Sequence, residues 1–409
     1  MSETLNLEIL NAAVSGPAAA FRCRRRLQPA GGEGDKVFPP TFAGAVYAIE
    51  QRRVPEREDP VVCVLLDSVQ SQANRMELAL QEAMEASKIK LPLVEVDFSE
   101  HDPTGDVEAD LEAGRLIERV GKITSLQAPH RLADAILRDS ELDGQPFRHS
   151  KLGKSLNTVS LANATPLFEL CPTALLFGMW DSTGPKGGLG PKFERAMVSE
   201  IIGIGAEYND DYRARGVRRD PLEISKNVPV VRNEDKSLHH VVDGKEKGSV
   251  RPSEINHSSV PFDSPNSGVT VEYAEQTTTL SLICLRRLNF PLGDKTGKAA
   301  DQAARTVLAA LGLCAATLAF ESGVGLRSRS LLWPDGPMVW ELLERPGQPP
   351  RTFELTGEQA VALLEDTIGV AREAGLSWRE SPISLQPSVQ LLELVRRSQN
   401  LARHEGAQE

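Results

Sequence analysis

VVCVLLDSVQSQANRMELALQEAME, residues 61–85, holds the change of period on which the fold turns. Its first six residues, Val61 to Leu66, form an unbroken apolar run that reads as a buried strand. From Met76 onward the apolar spacing is that of an amphipathic helix. Between the two stand Ser68, Gln70, Ser71, Gln72, Asn74 and Arg75. A helix start needs one capping side chain, which Asp67 or Ser68 can supply. The remaining amides and the arginine exceed that need. A helix N-terminus also offers free N–H groups and the positive end of a dipole. The stretch therefore reads either as a phosphate or nucleic-acid contact or as an exposed, polar first turn.

Working outward, residues 15–30 read as a first strand, with Arg22, Arg24 and Arg26 on one face and Cys23 and Arg25 on the other. PAGGEGDKVFPPTF is a Gly- and Pro-rich loop. The acidic segment from Asp97 to Glu112 reads as solvated surface. SLQAPHRLADAILRDSELDG predicts a short helix, with Pro129 at its first position and Gly144 beyond its end. Thr165 and Pro166 open another short helix that Pro172 ends. Thr173 to Trp180 is strand-like, Ser182 to Pro191 a Gly/Pro/Lys loop, and Arg195 to Ala206 a buried strand. Residues 207–267 are polar and aperiodic, a long excursion. GVTVEYAEQTTTLSLICLRRLNF predicts a strand pair or one long strand. Helices follow at Lys298–Ala319, Thr356–Ala374 and Pro387–His404. This order of elements is α+β.

The 409 residues, 40% apolar and 25% charged, suffice for one large or two smaller cores. No apolar run of membrane-spanning length stands out, and MSETLNLEIL lacks a basic stretch leading into an apolar one, so a cytoplasmic location without membrane attachment is expected. The five cysteines are scattered, with no C-x-x-C pair, which argues for a reduced compartment and against structural zinc. The net charge of −11 speaks against a nucleic-acid binder taken whole. However, FRCRRRLQP carries four arginines in five positions, and a local basic stripe can bind phosphates on an acidic protein.

The lysine–glycine segments do not make a nucleotide site. SKLGKS has Arg148 where the phosphate-binding loop requires its first glycine, and STGPKGGLGPK lacks the Lys-Ser/Thr ending. The latter does place Lys186, Lys192 and Arg195 beside flexible backbone, as phosphate binding or as an ordinary surface loop. ESGVGLRSRS repeats that choice with Arg327 and Arg329. His130, Asp134 and Arg138 fall at spacings of four on the predicted helix, either an ion ladder or an acid–base pair lacking any serine or cysteine partner. Arg131, on the neighbouring face, could meet a phosphate. Asp35 is a lone carboxylate beside Lys36, either a turn residue or a promoter of strand hydrolysis. No carboxylate cluster has metal-ligand spacing.

Four segments together resemble one known family: RRRLQPAGGEGDKVFPPTF, LLDSVQSQANRMELAL, SLQAPHRLADAILRDSELDG and NATPLFELCPTALLFGMWDSTGPKGGLGPKFERAMVSEIIG. The chain is similar to the type I-G (earlier I-U) CRISPR-associated RAMP protein, the Cas seven-type backbone subunit of a Cascade effector complex. ESGVGLRSRS resembles the glycine-rich loop of RAMP proteins. The resemblance runs from about residue 20 to about 340 and is weaker in 207–267 and in the tail.

It implies an RNA-recognition-motif-like (ferredoxin-like) palm over 15–340 with large insertions, 207–267 being the candidate thumb, and a helical C-terminal extension over 341–409. It further implies antiviral defence by a non-catalytic protein without cofactor or metal, stacked in copies along a guide RNA (crRNA) and presenting it to target DNA. The other partners implied are the large subunit and the fused Cas five/Cas six-type subunit. Guide bases must stay readable, so phosphate and 2′-OH contacts are expected. Their expected sources are Arg22, Arg24, Arg26, Lys36, Ser71, Gln72, Asn74, Arg75, Arg131, Lys186, Lys192, Arg195 and Arg327. The low aromatic content, 5%, fits backbone tracking. The alternative implied by type III relatives is a target-RNA endoribonuclease using Asp35.

Overall fold

The computed structural model describes residues 3–43, 46–55, 57–184, 187–207, 228–232, 239–242, 248–252, 268–293 and 297–405. It is a mixed α/β structure around a large sheet. Strand order across that sheet is Glu3–Thr4, Arg351–Glu354, Val339–Leu343, Ala20–Pro29, Tyr273–Ser281, Met197–Ile204, Val61–Asp67, Ile49–Arg52. The antiparallel pair Val324–Arg327 and Ser330–Pro334 attaches to the far end of Ala20–Pro29, where Leu332 pairs with Pro29. A smaller sheet combines Gln145–Pro146, Ser140–Leu142, Ile383–Pro387, Val94–Asp97 and Lys122–Thr124.

Strand Ala20–Pro29 alternates as its sequence predicts. Phe21, Cys23, Arg25 and Leu27 are buried, while Arg24 and Arg26 point outward. The buried face receives the helices. Lys298–Phe320, apolar from Val307 onward but for Thr317, runs through the core and packs against Leu7–Ser15, Val69–Glu85 and Gly357–Glu373. By length and composition this helix could cross a membrane, contrary to the expectation that no such run exists, but it is mostly buried inside the protein, as a core helix is.

Several sequence expectations need correction. Thr173–Phe177 is a helical turn, not a strand, because Pro172 supplies helical φ at its cap and Gly178, at φ +83°, ends it. The stretch 128–142 is not one helix. It is a short turn at Arg131–Ala133, a four-residue helix Ala135–Arg138 capped by Asp134, and strand Ser140–Leu142. Asp134 accepts from the backbone N–H groups of Ile136 and His130, so the ladder of His130, Asp134 and Arg138 does not form. The region after 341 is not purely helical either: Val339–Leu343 and Arg351–Glu354 extend the large sheet and Ile383–Pro387 lies inside the small one. GVTVEYAEQTTTLSLICLRR resolves into one strand, Tyr273–Ser281, and a short helix, Leu282–Arg286. Most of the 207–267 excursion lies outside the described residues. Its described parts include an antiparallel pair, Val230–Arg232 with His239–Val241.

Candidate nucleic-acid interface

Helix Val69–Glu85 begins where the opening stretch predicts, and Ser68 caps it by accepting from the Ser71 N–H. The extra polar side chains then divide by helix face. Gln72 is fully buried, correcting its expected role as a phosphate contact. Its Nε2 donates to Asp67 Oδ2 at 2.6 Å, and its Oε1 accepts from Ser199 Oγ and Gln276 Nε2, each at 2.8 Å. Gln276 in turn accepts from Arg25 Nε, and the Arg25 guanidinium donates to the carbonyl of Phe320 at the end of the core helix. The signal was available: Gln72 precedes Met76 and Leu80 at steps of four, on the apolar stripe.

Asp67 reaches this network through a bulge. The pairing of strand Val61–Asp67 shifts register between Ile201 and Ile202, so that Leu66 and Asp67 are buried in succession. Around this carboxylate gather two arginines. Arg75 donates to it at 2.8 Å and also to the carbonyls of Gly325 and Leu326. Arg327 donates to the carbonyls of Phe38 and Leu66, with Nη2 3.9 Å from Asp67 Oδ1. These two guanidinium groups, expected to be free for RNA, first tie the helix start to the Val324–Pro334 strand pair. With one carboxylate between them, they still leave an excess of positive charge. Arg329, at φ +58° in the turn of that pair, adds to it and lies over the Phe38 ring at 4.4 Å. Lys36 is exposed in the neighbouring loop.

Arg131 is likewise turned to internal use. Its guanidinium meets the buried Glu77 with two hydrogen bonds, 2.6 and 2.7 Å, and donates to the Gly178 carbonyl. Burial raises the pKa of Glu77, and the Arg131 bonds and charge oppose that. Arg22, Arg24 and Arg26 do share the open face of the sheet. They are not a bare cationic stripe, however: Arg22 pairs with Glu341 and Arg24 with Glu275, each at 2.7 Å, and Arg26 lies over Tyr273. Arg52 bridges to Glu200 on the same face. The adjacent carboxylates weaken that face's pull on a polyanion.

The outward side chains of the helix start, Gln70 and Asn74, line a cleft of about 660 Å³. Its opposite wall comes from Met179–Trp180 paired with Lys192–Phe193, and from Arg195 and Val198 beyond them. His130 closes one side. Lys192 and Arg195 are exposed, and neither side chain has a hydrogen bond or ion pair among the described residues. Glu194, between them, is paired with Arg287 at 2.7 Å. Trp180, half exposed, was missed by sequence reasoning; Lys192 Nζ sits 5.4 Å from its ring centre. The structure thus brings Asn74, Lys192 and Arg195 together at the cleft and Arg75 and Arg327 together at Asp67, while Ser71 lies in the first turn of the helix and Lys36 in the loop before Phe38. Lys186 lies outside the described residues.

Asp35 accepts from the Lys36 N–H in an exposed turn closed by a hydrogen bond from Asp35 N–H to Gly32 O, the geometry of a turn residue. No group of three or more His, Cys, Asp or Glu side chains suited to a metal occurs among the described residues.

A cleft and a flanking surface bearing cations at a helix N-terminus can attract anions. Comparison with known proteins points in a compatible direction. Residues 21–208 match the model of a family described as CRISPR-associated protein GSU0053, and this supports a CRISPR-associated protein. The matched span contains the arginine strand, the helix start and both walls of the cleft. No curated protein matches the chain. Among solved structures, the crystal structure of Thermofilum pendens Csc2 is 11% identical, aligned over 96% of this chain and 90% of that one with a TM-score of 0.29.

Proposed function

We propose that this chain is a guide-RNA-binding backbone subunit of a CRISPR effector complex of type I-G. Copies of it line up along the crRNA and present its bases to target DNA, and the chain carries out no catalysis of its own. The palm of an RNA-recognition-motif-like RAMP protein would be the large sheet with its helices. A thumb would come from within 207–267. The other Cascade subunits would join at the ends of the filament.

The observation that carries this reading is the gathering of exposed Asn74, Lys192 and Arg195 at one cleft, from segments far apart in sequence but all within the span matching the CRISPR-associated family. Lysine and arginine without carboxylate partners attract phosphates regardless of base, which a guide-holding protein requires. The open sheet face, with its matched carboxylates, is the poorer candidate.

The test is the double charge reversal Lys192→Glu/Arg195→Glu in the full chain co-expressed with a CRISPR array. Loss of co-purifying RNA, read as the 260/280 nm absorbance ratio after gel filtration, is expected with unchanged circular dichroism. Wild-type protein that elutes free of RNA at low salt, or a variant that retains RNA as the wild type does, would overturn the reading.

A further inference from the structure

The cleft contains one feature that phosphate binding does not require. Trp180 is the aromatic residue of its wall that stands half exposed, whereas Phe177, Met179 and Phe193 around it are buried. An indole left in water forfeits the burial that stabilises most tryptophans, so it invites a partner surface. Its position is rigidly specified. Gly178, two residues before it, takes φ +83° and ψ 154°, a conformation essentially confined to glycine, and a Cβ there would meet Phe193 O at 3.1 Å. The Gly178 carbonyl is held by Arg131, itself locked to Glu77. Trp180 pairs in register with Lys192, and Asp181, next along, is buried with Arg148 Nη2 3.0 Å from its carboxylate. Three internal contacts therefore fix an exposed ring at the lip of a cationic cleft.

We infer that Trp180 is a stacking platform for one nucleobase of a single-stranded nucleic acid, with Lys192 and Arg195 holding the flanking phosphates. This rests on the RNA-binding reading above and deepens it. The neighbourhood selects the partner: the charge of Lys192 beside the indole disfavours a purely apolar surface, whereas a nucleotide offers a flat ring for the exposed part of Trp180 and a phosphate for Lys192. Stacking tolerates any base, so it remains compatible with a guide of arbitrary sequence. A base stacked on Trp180 is also displaced from its neighbours, so the site takes a single strand and disfavours a continuous duplex.

The experiment measures binding of the full chain to a fluorescein-labelled single-stranded oligouridine and to the same oligomer with its bases removed, by anisotropy. Trp180→Ala should weaken binding of the oligouridine on the order of tenfold, Trp180→Phe should recover most of it, and all three proteins should bind the abasic oligomer alike. Equal affinity of wild type and Trp180→Ala for oligouridine, or an equal loss on the abasic oligomer, would overturn the stacking role. Lys192→Glu separates the two levels. If it abolishes binding while Trp180→Ala does nothing, the cleft holds RNA without stacking and the stacking role is overturned; if both variants bind as the wild type does, the cleft is not the RNA site; if the wild type binds neither oligomer, the RNA-binding reading itself fails. Should Trp180→Ala fold poorly, Trp180→Phe against Trp180→Leu, matched in apolar character, gives the same comparison: equal binding by the two would overturn the role.

Discussion

Arg75 Nε lies 2.8 Å from Asp67 Oδ2, joining a carboxylate almost wholly removed from water to an arginine whose other nitrogens hold the carbonyls of Gly325 and Leu326. One contact therefore welds the strand-to-helix junction to a strand pair some 250 residues later in the chain. Arg75→Ala would leave Asp67 with Gln72 and a distant Arg327, and would take one donor from each of two carbonyls. Removing one partner of a buried pair costs about 3–5 kcal/mol, and the partial exposure of Arg75 places the expectation at the lower end, about 3 kcal/mol. Urea denaturation measures it. A loss below about 1 kcal/mol, that of an exposed ion pair, would mean that the contact is peripheral.

Gln72 and Asn74, two residues apart, should behave oppositely. Gln72→Ala strips partners from Asp67, Ser199 and Gln276 inside the core and should cost about 2–4 kcal/mol. Asn74→Ala, at an exposed position on the cleft, should change stability by less than about 0.5 kcal/mol while weakening RNA binding. Thermal melts and RNA-binding titrations of the two variants separate fold from site; reversed outcomes would mean that the two residues have exchanged roles.

Arg131→Met takes the cationic partner from the buried Glu77, leaving it the Thr173 hydroxyl, and should destabilise by about 3–5 kcal/mol. Adding Glu77→Gln should recover much of that, because the remaining amide is uncharged and far cheaper to bury. The double-mutant cycle in denaturant measures the coupling; additive losses would show that the two side chains act independently.

Gly178→Ala forces a side chain into a glycine conformation and against Phe193 O, at a cost of about 1–3 kcal/mol. Because Gly178 aims Trp180, this variant should also weaken single-strand binding. Intrinsic fluorescence and anisotropy read the two effects, and unaltered binding would mean that the ring is positioned by the Lys192 strand alone.

Cys284 is the partly exposed cysteine; the other four are buried. Burial, and then the hydrogen bond and charge of Glu194, push its thiol up to about 12. The thiolate is the reactive form, so alkylation by iodoacetamide at neutral pH should run roughly a hundredfold slower than for a free thiol, and faster in Glu194→Gln. Time-resolved mass spectrometry tests this; rapid modification of the native wild type would contradict it.

The alternation of FRCRRRLQP was enough to place Arg22, Arg24 and Arg26 on one face and Phe21, Cys23, Arg25 and Leu27 on the other, because a strand's period is two whatever it packs against. The onset of the helix at Val69 was equally legible from Ser68, a local capping interaction. The split between Gln72 and Asn74 was visible only as the step of four to Met76, a weaker signal carried by a polar residue on an apolar stripe.

What sequence by itself determined here is local: the strand and helix periods, the caps, the glycine-ended turns, and the acidic whole with its basic patches. Tertiary structure alone decided which cations lack a carboxylate partner among the described residues. Arg22, Arg24, Arg75, Arg131 and Arg327 were indistinguishable from Lys192 and Arg195 as residues; strand register brought Glu341 and Glu275, the bulge brought Asp67, and the packing of helix Val69–Glu85 against the Arg131 turn brought Glu77 within reach of the former. A charge's availability depends on what lies within a few ångströms of it, and those neighbours come from segments tens to hundreds of residues away, beyond the reach of any local pattern.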